Sequence, residues 1–388
     1  MSQLEKARLD SLADAVTVAH VGPTSAFFTD RGVPFFRTGN VGDRKLILEN
    51  LKQITLKFHQ KLRKSTLKGG DIMVSRVVSD RITCAIVPPE FDGANCGNVI
   101  VIRPGKNIVS EYLTHLISTP ESQSQLLKRQ VGSAQAVVNT AVLKAWEISL
   151  PPIAEQKRIA AILDKAEELR GLRRKALGEL DAIAQSIFLE MFGNPVPNSK
   201  QLPIHPVGDL TDCIVPGRDK PKSFSGEIPW ITTDDLVSLG VTTHSPKSLG
   251  LTLAEINQVR ARIIPKDSVI LSCVGDLGII SIAGTDMVIN QQLHSFQCGK
   301  DINNVFLMYC LFFQKTYMCL QASSTTVLYM NKSVCNSIPI FVPPISLQQE
   351  FARRVEAIEH LKTTHRESLA QLDALFTSLQ HRAFRGEL

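Results

Sequence analysis

The stretch ISLPPIAEQKRIAAILDKAEELRGLRRKALGELDAIAQSIFLEMFG, residues 148–193, decides how this chain is organised. It returns 192 residues later as IFVPPISLQQEFARRVEAIEHLKTTHRESLAQLDALFTSLQHRAFR, residues 340–385, and 15 of the 46 aligned positions are identical. Pro151/Pro343, Pro152/Pro344, Ile153/Ile345, Gln156/Gln348, Leu180/Leu372 and Asp181/Asp373 are among them. Self-similarity at a fixed offset marks a repeated unit. The likeness continues upstream with small drifts in offset, as loop insertions produce. Pro34–Thr38 meets Pro229–Thr233, Thr55 meets Thr252, Ser75 meets Ser272, and Asn139 meets Asn331. The chain therefore reads as two related globular domains, each followed by a long helix.

Each helix declares its ends. Pro-Pro suits the entry, because proline fits the first helical turn and no later one. Gly193 followed by Pro195 is a stop. Between them apolar residues recur at three and four: Ile159, Ile162, Leu169, Leu180 and Ile183 in the first helix, Phe351, Ile358, Leu361, Leu372 and Leu375 in the second. Such a seam predicts pairing, and the simplest partner is the other copy. About 40 residues at ~1.5 Å each give a rod of roughly 60 Å. The reading places domain 1 at 1–150, a helix at 151–193, a linker and domain 2 at 194–342, and a second helix at 343–388. The linker GNPVPNSKQLPIHP (193–206) reads as extended. β-rich runs (71–78, 98–102, 268–273) alternate with helical ones (55–62, 305–314), so the fold class is mixed α/β (α+β).

The 388 residues hold 44% hydrophobic and 21% charged side chains, which excludes a wholly disordered chain. The net charge is +6, and residues 1–150 carry all of the excess, with 19 Lys/Arg against 13 Asp/Glu. A basic domain favours a polyanion. The start, MSQLEKARLD, has no apolar core and predicts no signal peptide. The longest apolar run, Val305–Phe313, is too short for a bilayer, which takes about 20 residues. The eight Cys form no CxxC pair and predict reduced cytoplasmic thiols, with no metal site. Motifs of catalysis are missing too. There is no Asn/Asp-Pro-Pro-aromatic string, no GxGxxG and no GxxxxGK[ST]. Glu155-Gln156-Lys157 opens a helix rather than ending a strand, and His59, His115 and His294 read as structural.

Nucleic-acid contacts are easier to nominate. Residues 44–68 carry eight Lys/Arg against Glu49 alone. On a helix Lys57, Lys61 and Lys64 share one face, with Arg63 beside them, as phosphate contacts would require. The second copy offers Arg260 and Arg262, with Lys266. Base reading needs forked or amide side chains on loops. The candidates are Arg37, Asn40, Ser75, Arg76, Arg81, Ser133, Gln135 and Asn139 in the first copy, and Thr232, Ser272, Asn290, Gln291, Gln292, Thr325, Thr326 and Asn331 in the second.

LPPIAEQKRIAAILD, VPPISLQQEFARRVEAI, the terminal AFRGEL and the string Gly32-Val33-Pro34-Phe35-Phe36-Arg37 resemble the specificity subunit of type I restriction-modification systems, over essentially the whole chain. The departure is Leu347, where the first copy has Glu155. The resemblance implies two DNA target-recognition domains, each reading one half of a split site, and helices that pair as an antiparallel coiled coil. It implies double-stranded DNA, two modification subunits and restriction subunits as partners. S-adenosylmethionine, ATP and Mg would belong to those partners and not to this chain. The competing readings are a stand-alone DNA methyltransferase or nuclease, and a coiled-coil scaffold.

Overall fold

The computed structural model describes residues 5–78, 81–128, 136–217, 219–324 and 327–388. The chain forms two compact units, one of residues up to Arg174 with Ser368–Leu388, the other of Lys175–Glu367. The two long helices, Ile153–Phe192 and Ile345–Arg385, each contribute to both units.

In the first unit an antiparallel sheet runs in the order Ala13–Val18, Val99–Pro104, Ile72–Ser75, Cys84–Ile86. Strand side chains alternate between faces. Ile72, Val74, Ile100 and Ile102 pack with Tyr112, Leu116, Ile159 and Leu163 in one core. Met73, Ala85, Val99 and Val101 pack with Phe36, Val41 and Leu67 in a second. A smaller mixed sheet has the order Phe28–Thr29, Lys52–Ile54, Val33–Phe36, Asn95–Cys96.

The second unit repeats the plan. Its main sheet is Thr211–Ile214, Leu293–Cys298, Val269–Ser272, Ile280–Ala283, Gly240–Thr242, and its smaller one is Gly250–Leu251, Ile228–Ile231, Met287–Ile289, Ile263–Ile264. Val269 and Leu271 face the core that holds Phe188, Phe306, Phe341 and Phe351; Ile270 faces the opposite one. In each unit a short antiparallel strand pair, Glu5–Arg8 with Glu147–Leu150 or Ile204–Pro206 with Pro339–Phe341, delivers the chain to Pro-Pro and the helix. The mixed fold class and the repeat are both present. The linker is less extended than its composition predicts. Gly193 takes φ +80°, where glycine has no steric cost, Lys200 Nζ caps the Glu190 and Met191 carbonyls at 2.8 Å, and Ile204–Pro206 joins a sheet.

Within each unit a segment of one long helix lies antiparallel against a segment of the other. In the first, Arg170 Nε meets Asp373 Oδ1 at 2.5 Å and Arg158 Nη2 donates to the Leu388 carbonyl at 2.8 Å. In the second, Lys362 Nζ meets Asp181 Oδ1 at 2.5 Å and the Phe188 and Phe351 rings meet edge to face. Arg170 and Lys362 are repeat equivalents, as are Asp181 and Asp373, so the same clasp is built twice.

The seam differs in detail from the apolar pattern. Ile159, Phe351 and Ile358 are buried, and Ile162, Leu180 and Leu372 half-buried. Leu169, Ile183, Leu361 and Leu375, expected inside, are 42%, 46%, 50% and 50% exposed. Around the exposed positions burial falls one residue later, at Leu163, Ala184, Lys362 and Phe376, with Arg170 half-buried. The middle of the seam holds ion pairs of the half-buried Arg170 and the buried Lys362, and the neighbouring leucines are turned outward.

Candidate nucleic-acid interface

The two domains build the same loop at the end of the same strand. Val33–Phe36 runs parallel to Asn95–Cys96, and Ile228–Ile231 runs parallel to Met287–Ile289. One residue further on, Gly97 N–H donates to the Phe36 carbonyl and Asn290 N–H to that of Ile231, both at 2.9 Å. Each strand then turns into a single 3-10 turn, Thr38–Asn40 or Thr233–Asp235. Arg37 N–H donates to Asn40 Oδ1 at 3.0 Å, and Thr232 N–H donates to Asp235 Oδ2 at 2.8 Å. The register makes Phe35 equivalent to Trp230, Arg37 to Thr232, and Asn98 to Gln291.

A pocket opens beside each loop. The first has a volume of about 520 Å³ and is lined by His20, Arg37, Thr38, Glu49, Asn50 and Asn98 among others. The Arg37 guanidinium lies 5.5 Å from the Phe28 ring centre, and its Nη2 donates to the Asn50 carbonyl at 3.4 Å. Arg37 Nε and His20 Nε2 are buried without a partner among the described residues. At Gly97 a Cβ would stand 2.7 Å from Phe35 Cζ, so a larger residue there would have to displace that buried ring. The second pocket, about 230 Å³, is lined by Asp219, Lys220, Trp230, Thr232, Asn290, Gln291 and Gln292. Asn290 Nδ2 and Thr233 Oγ1 donate to Gln292 Oε1 at 3.0 and 3.4 Å, which braces this loop.

The basic segment 44–68 is not one helix. It contains strand Lys52–Ile54, helix Leu56–Lys61 and a 3-10 turn at Arg63–Ser65. Lys57, Lys61, Arg63 and Lys64 are all exposed, but Lys64 lies beyond the helix and not on its face. Only Phe58 of the helix's six residues is buried, and at Leu62 the chain passes into the 3-10 turn. Arg44 is largely drawn away from solvent: it pairs with Glu167 at 2.7 Å and stacks over Phe376. In the second copy the matching helix is Leu253–Gln258, capped by Thr252 as the first is by Thr55. Ala254 and Gln258 stand where Lys57 and Lys61 do, so only Arg260 has a cationic counterpart, Arg63. Arg262 and Lys266 are exposed at positions the first copy does not share as cations.

Several nominated residues serve the fold. Ser75 and Ser272 are buried, and their hydroxyls accept from Thr83 and Ile279 N–H at 3.0 and 2.8 Å. Asn40 is buried, with Nδ2 donating to the Ile47 carbonyl at 2.8 Å. Asn139 and Asn331 cap short helices, each accepting a backbone N–H at 2.9 Å. Arg76 is half-buried, and Arg81 pairs with Asp43 at 3.2 Å. The polarity of Ser75, Ser272, Asn40, Asn139 and Asn331 is used by turns and caps, which loop composition alone does not separate from binding. Ser133, Gln135, Thr325 and Thr326 lie outside the described residues. Sequence reading missed His20, Asn50 and Asn98. The last two carry φ of +57° and +56°, values that asparagine tolerates, and the match of Asn98 with Gln291 was the available signal.

The sequence pattern of the type I restriction modification DNA specificity domain matches residues 3–180 and again 207–374. The putative type I restriction enzyme MjaX specificity subunit of Methanocaldococcus jannaschii is 23% identical, covering 97% of this chain and 92% of its own. The EcoKI specificity subunit of Escherichia coli K12 is 22% identical over 93% of this chain and 84% of its own. A crystal structure of the type I restriction-modification S subunit from M. genitalium superposes with a TM-score of 0.58 at 13% identity, covering 99% of this chain and 97% of that one. A chain solved in work on complex assembly of the type I R-M system gives 0.56 at 19% identity, over 100% and 99%. With the domain pattern present twice and spanning most of both halves, the chain belongs to the family of type I restriction modification DNA specificity domains.

Proposed function

We propose that this chain is the non-catalytic DNA-recognition subunit of a cytoplasmic type I restriction-modification complex. Each globular domain binds one half of a two-part site, and the paired helices act as the spacer and dock two modification subunits. Those subunits and the restriction subunits bring S-adenosylmethionine, ATP and Mg. The observation that carries the reading is a repeated frame with unlike linings: the same strand, turn and cap in both domains, with Arg37 and Asn98 in one and Thr232 and Gln291 in the other. One scaffold with two chemistries suits two different half-sites. Leu169 with Leu375 in the first unit, and Ile183 with Leu361 in the second, leave equivalent exposed leucine or isoleucine positions on the helices, as docking of two like partners would use. The test is exchange of residues 203–342 for those of another family member, followed by mapping of methylated positions in the host genome. One half of the motif should change while the other stays. A change in both halves, or methyl transfer by the purified chain alone, would lead us to abandon the reading.

A further inference from the structure

We infer that the pocket at Arg37 and its counterpart at Thr232 are where the two domains read base edges, the first a guanine through Arg37, the second an adenine through Gln291. The inference rests on the proposed DNA role and gives it an address. The two cavities occupy the same place in the repeat, flanked by equivalent strands and turns, so a common task is the economical explanation of both. What differs is the hydrogen-bonding character. The Arg37 guanidinium lies over the Phe28 ring and donates from Nη2 to the Asn50 carbonyl, and its Nε is buried, which leaves the Nη1 and Nη2 end as the fork toward the cavity. A fork of parallel donors matches the O6 and N7 acceptors that guanine presents in the major groove. Glu49, lining the same cavity, is an acceptor of the kind that reads the cytosine amino group of such a pair. The second cavity offers amides instead, with Gln291 exposed at it and the Asn290–Gln292 pair bracing the loop. An amide supplies the one donor and one acceptor that adenine N7 and N6 require. A phosphate contact fits the first cavity less well, because the Glu49 carboxylate in it repels a phosphate; in the second, Asp219 is offset by Lys220, and the amides are what distinguish the lining. The exposed lysines of residues 57–64 lie on a separate element and suit the backbone better.

The experiment uses the full chain in complex with its modification subunits. Binding is measured to a duplex carrying the mapped site and to every single-base variant of it. In R37Q the preference for guanine at one position of one half-site should fall by about 5- to 150-fold, to near none, with every other position unchanged. R37K, which keeps the charge and loses the fork, should lose the same preference. Q291A should lose an adenine preference in the other half-site only. The untouched half-site reports in each case that the protein is folded. Retention of all preferences by R37Q would overturn the inference, as would equal weakening on all duplexes, which marks a phosphate contact. Loss of discrimination in both halves by R37Q and R37K alike would make the pocket structural and also overturn it. If the unaltered complex shows no base preference at all, the proposed function fails instead.

Discussion

Gln156 and Gln348 are each fully buried, and each spends its whole amide on backbone. Gln156 accepts from Val109 N–H at 2.9 Å and donates to the Asn107 and Pro151 carbonyls at 3.0 and 2.9 Å. Gln348 does the same for Asn303 N–H and the Asp301 and Pro343 carbonyls, at 2.9, 3.2 and 2.8 Å. The pair is legible in the sequence as an identity beside Pro-Pro. Its task is not, because the loop it holds lies some 45 residues upstream. Glu255 is a second single-residue case. The Ser223 hydroxyl and then the Thr252 N–H hold its carboxylate down to about 2 from an ordinary 4.5. A carboxylate lowered in the folded state stabilises above its unfolded pKa, and that contribution is lost as pH falls through the folded value. Acid unfolding of the second unit should therefore steepen between about pH 4.5 and 2. In Glu255→Gln that steepening should shrink, as circular dichroism against pH would record.

At the scale of elements, the long helices were legible from Pro-Pro, from Gly193 and from the three–four spacing. Their seam was legible only in part. Apolar periodicity assigns Leu169 and Leu361 to the inside, and the structure places the half-buried Arg170 and the buried Lys362 there instead. Each of these cations has a carboxylate one turn back, Glu167 or Glu359, and another across the seam, Asp373 or Asp181. A cation with two anionic neighbours can occupy a seam that a lone one cannot. Lys362 is the deeper, with a side chain only 3% exposed. Lys362→Glu places a third carboxylate beside Asp181 and Glu359 and should cost roughly 3–5 kcal/mol in urea unfolding. Lys362→Met, which keeps the volume and removes the charge, should cost clearly less. Equal effects from the two would mean that packing, not pairing, fixes that register.

For the whole molecule, duplication was legible because identical offsets survive divergence, whereas strand order was not, because short strands of similar composition pair across long separations. The charge asymmetry was also legible, and it predicts how binding responds to salt. If Lys57, Lys61 and Lys64 lie on phosphates, each releases about 0.9 counterion, so changing all three to Gln should flatten the log–log salt slope by up to about 2–3 units. All duplexes should weaken alike and the methylated motif should stay. An unchanged slope would place these lysines away from DNA.

The first unit takes residues up to Arg174 and then Ser368–Leu388, and skips everything between. On the ribosome this imposes an order of completion. Residues 175–367, the whole second unit, must be made before the first can be finished, which takes on the order of ten to forty seconds at ~5–20 residues per second. During that interval the early half waits with Ile159, Leu163 and Ala166 uncovered by Phe376 and Ala383, the late residues that share their core. The later-made half of the molecule is thus the first to close. Until Ser368–Leu388 arrives, the apolar helix face of the first unit stays exposed to whatever else the nascent chain meets.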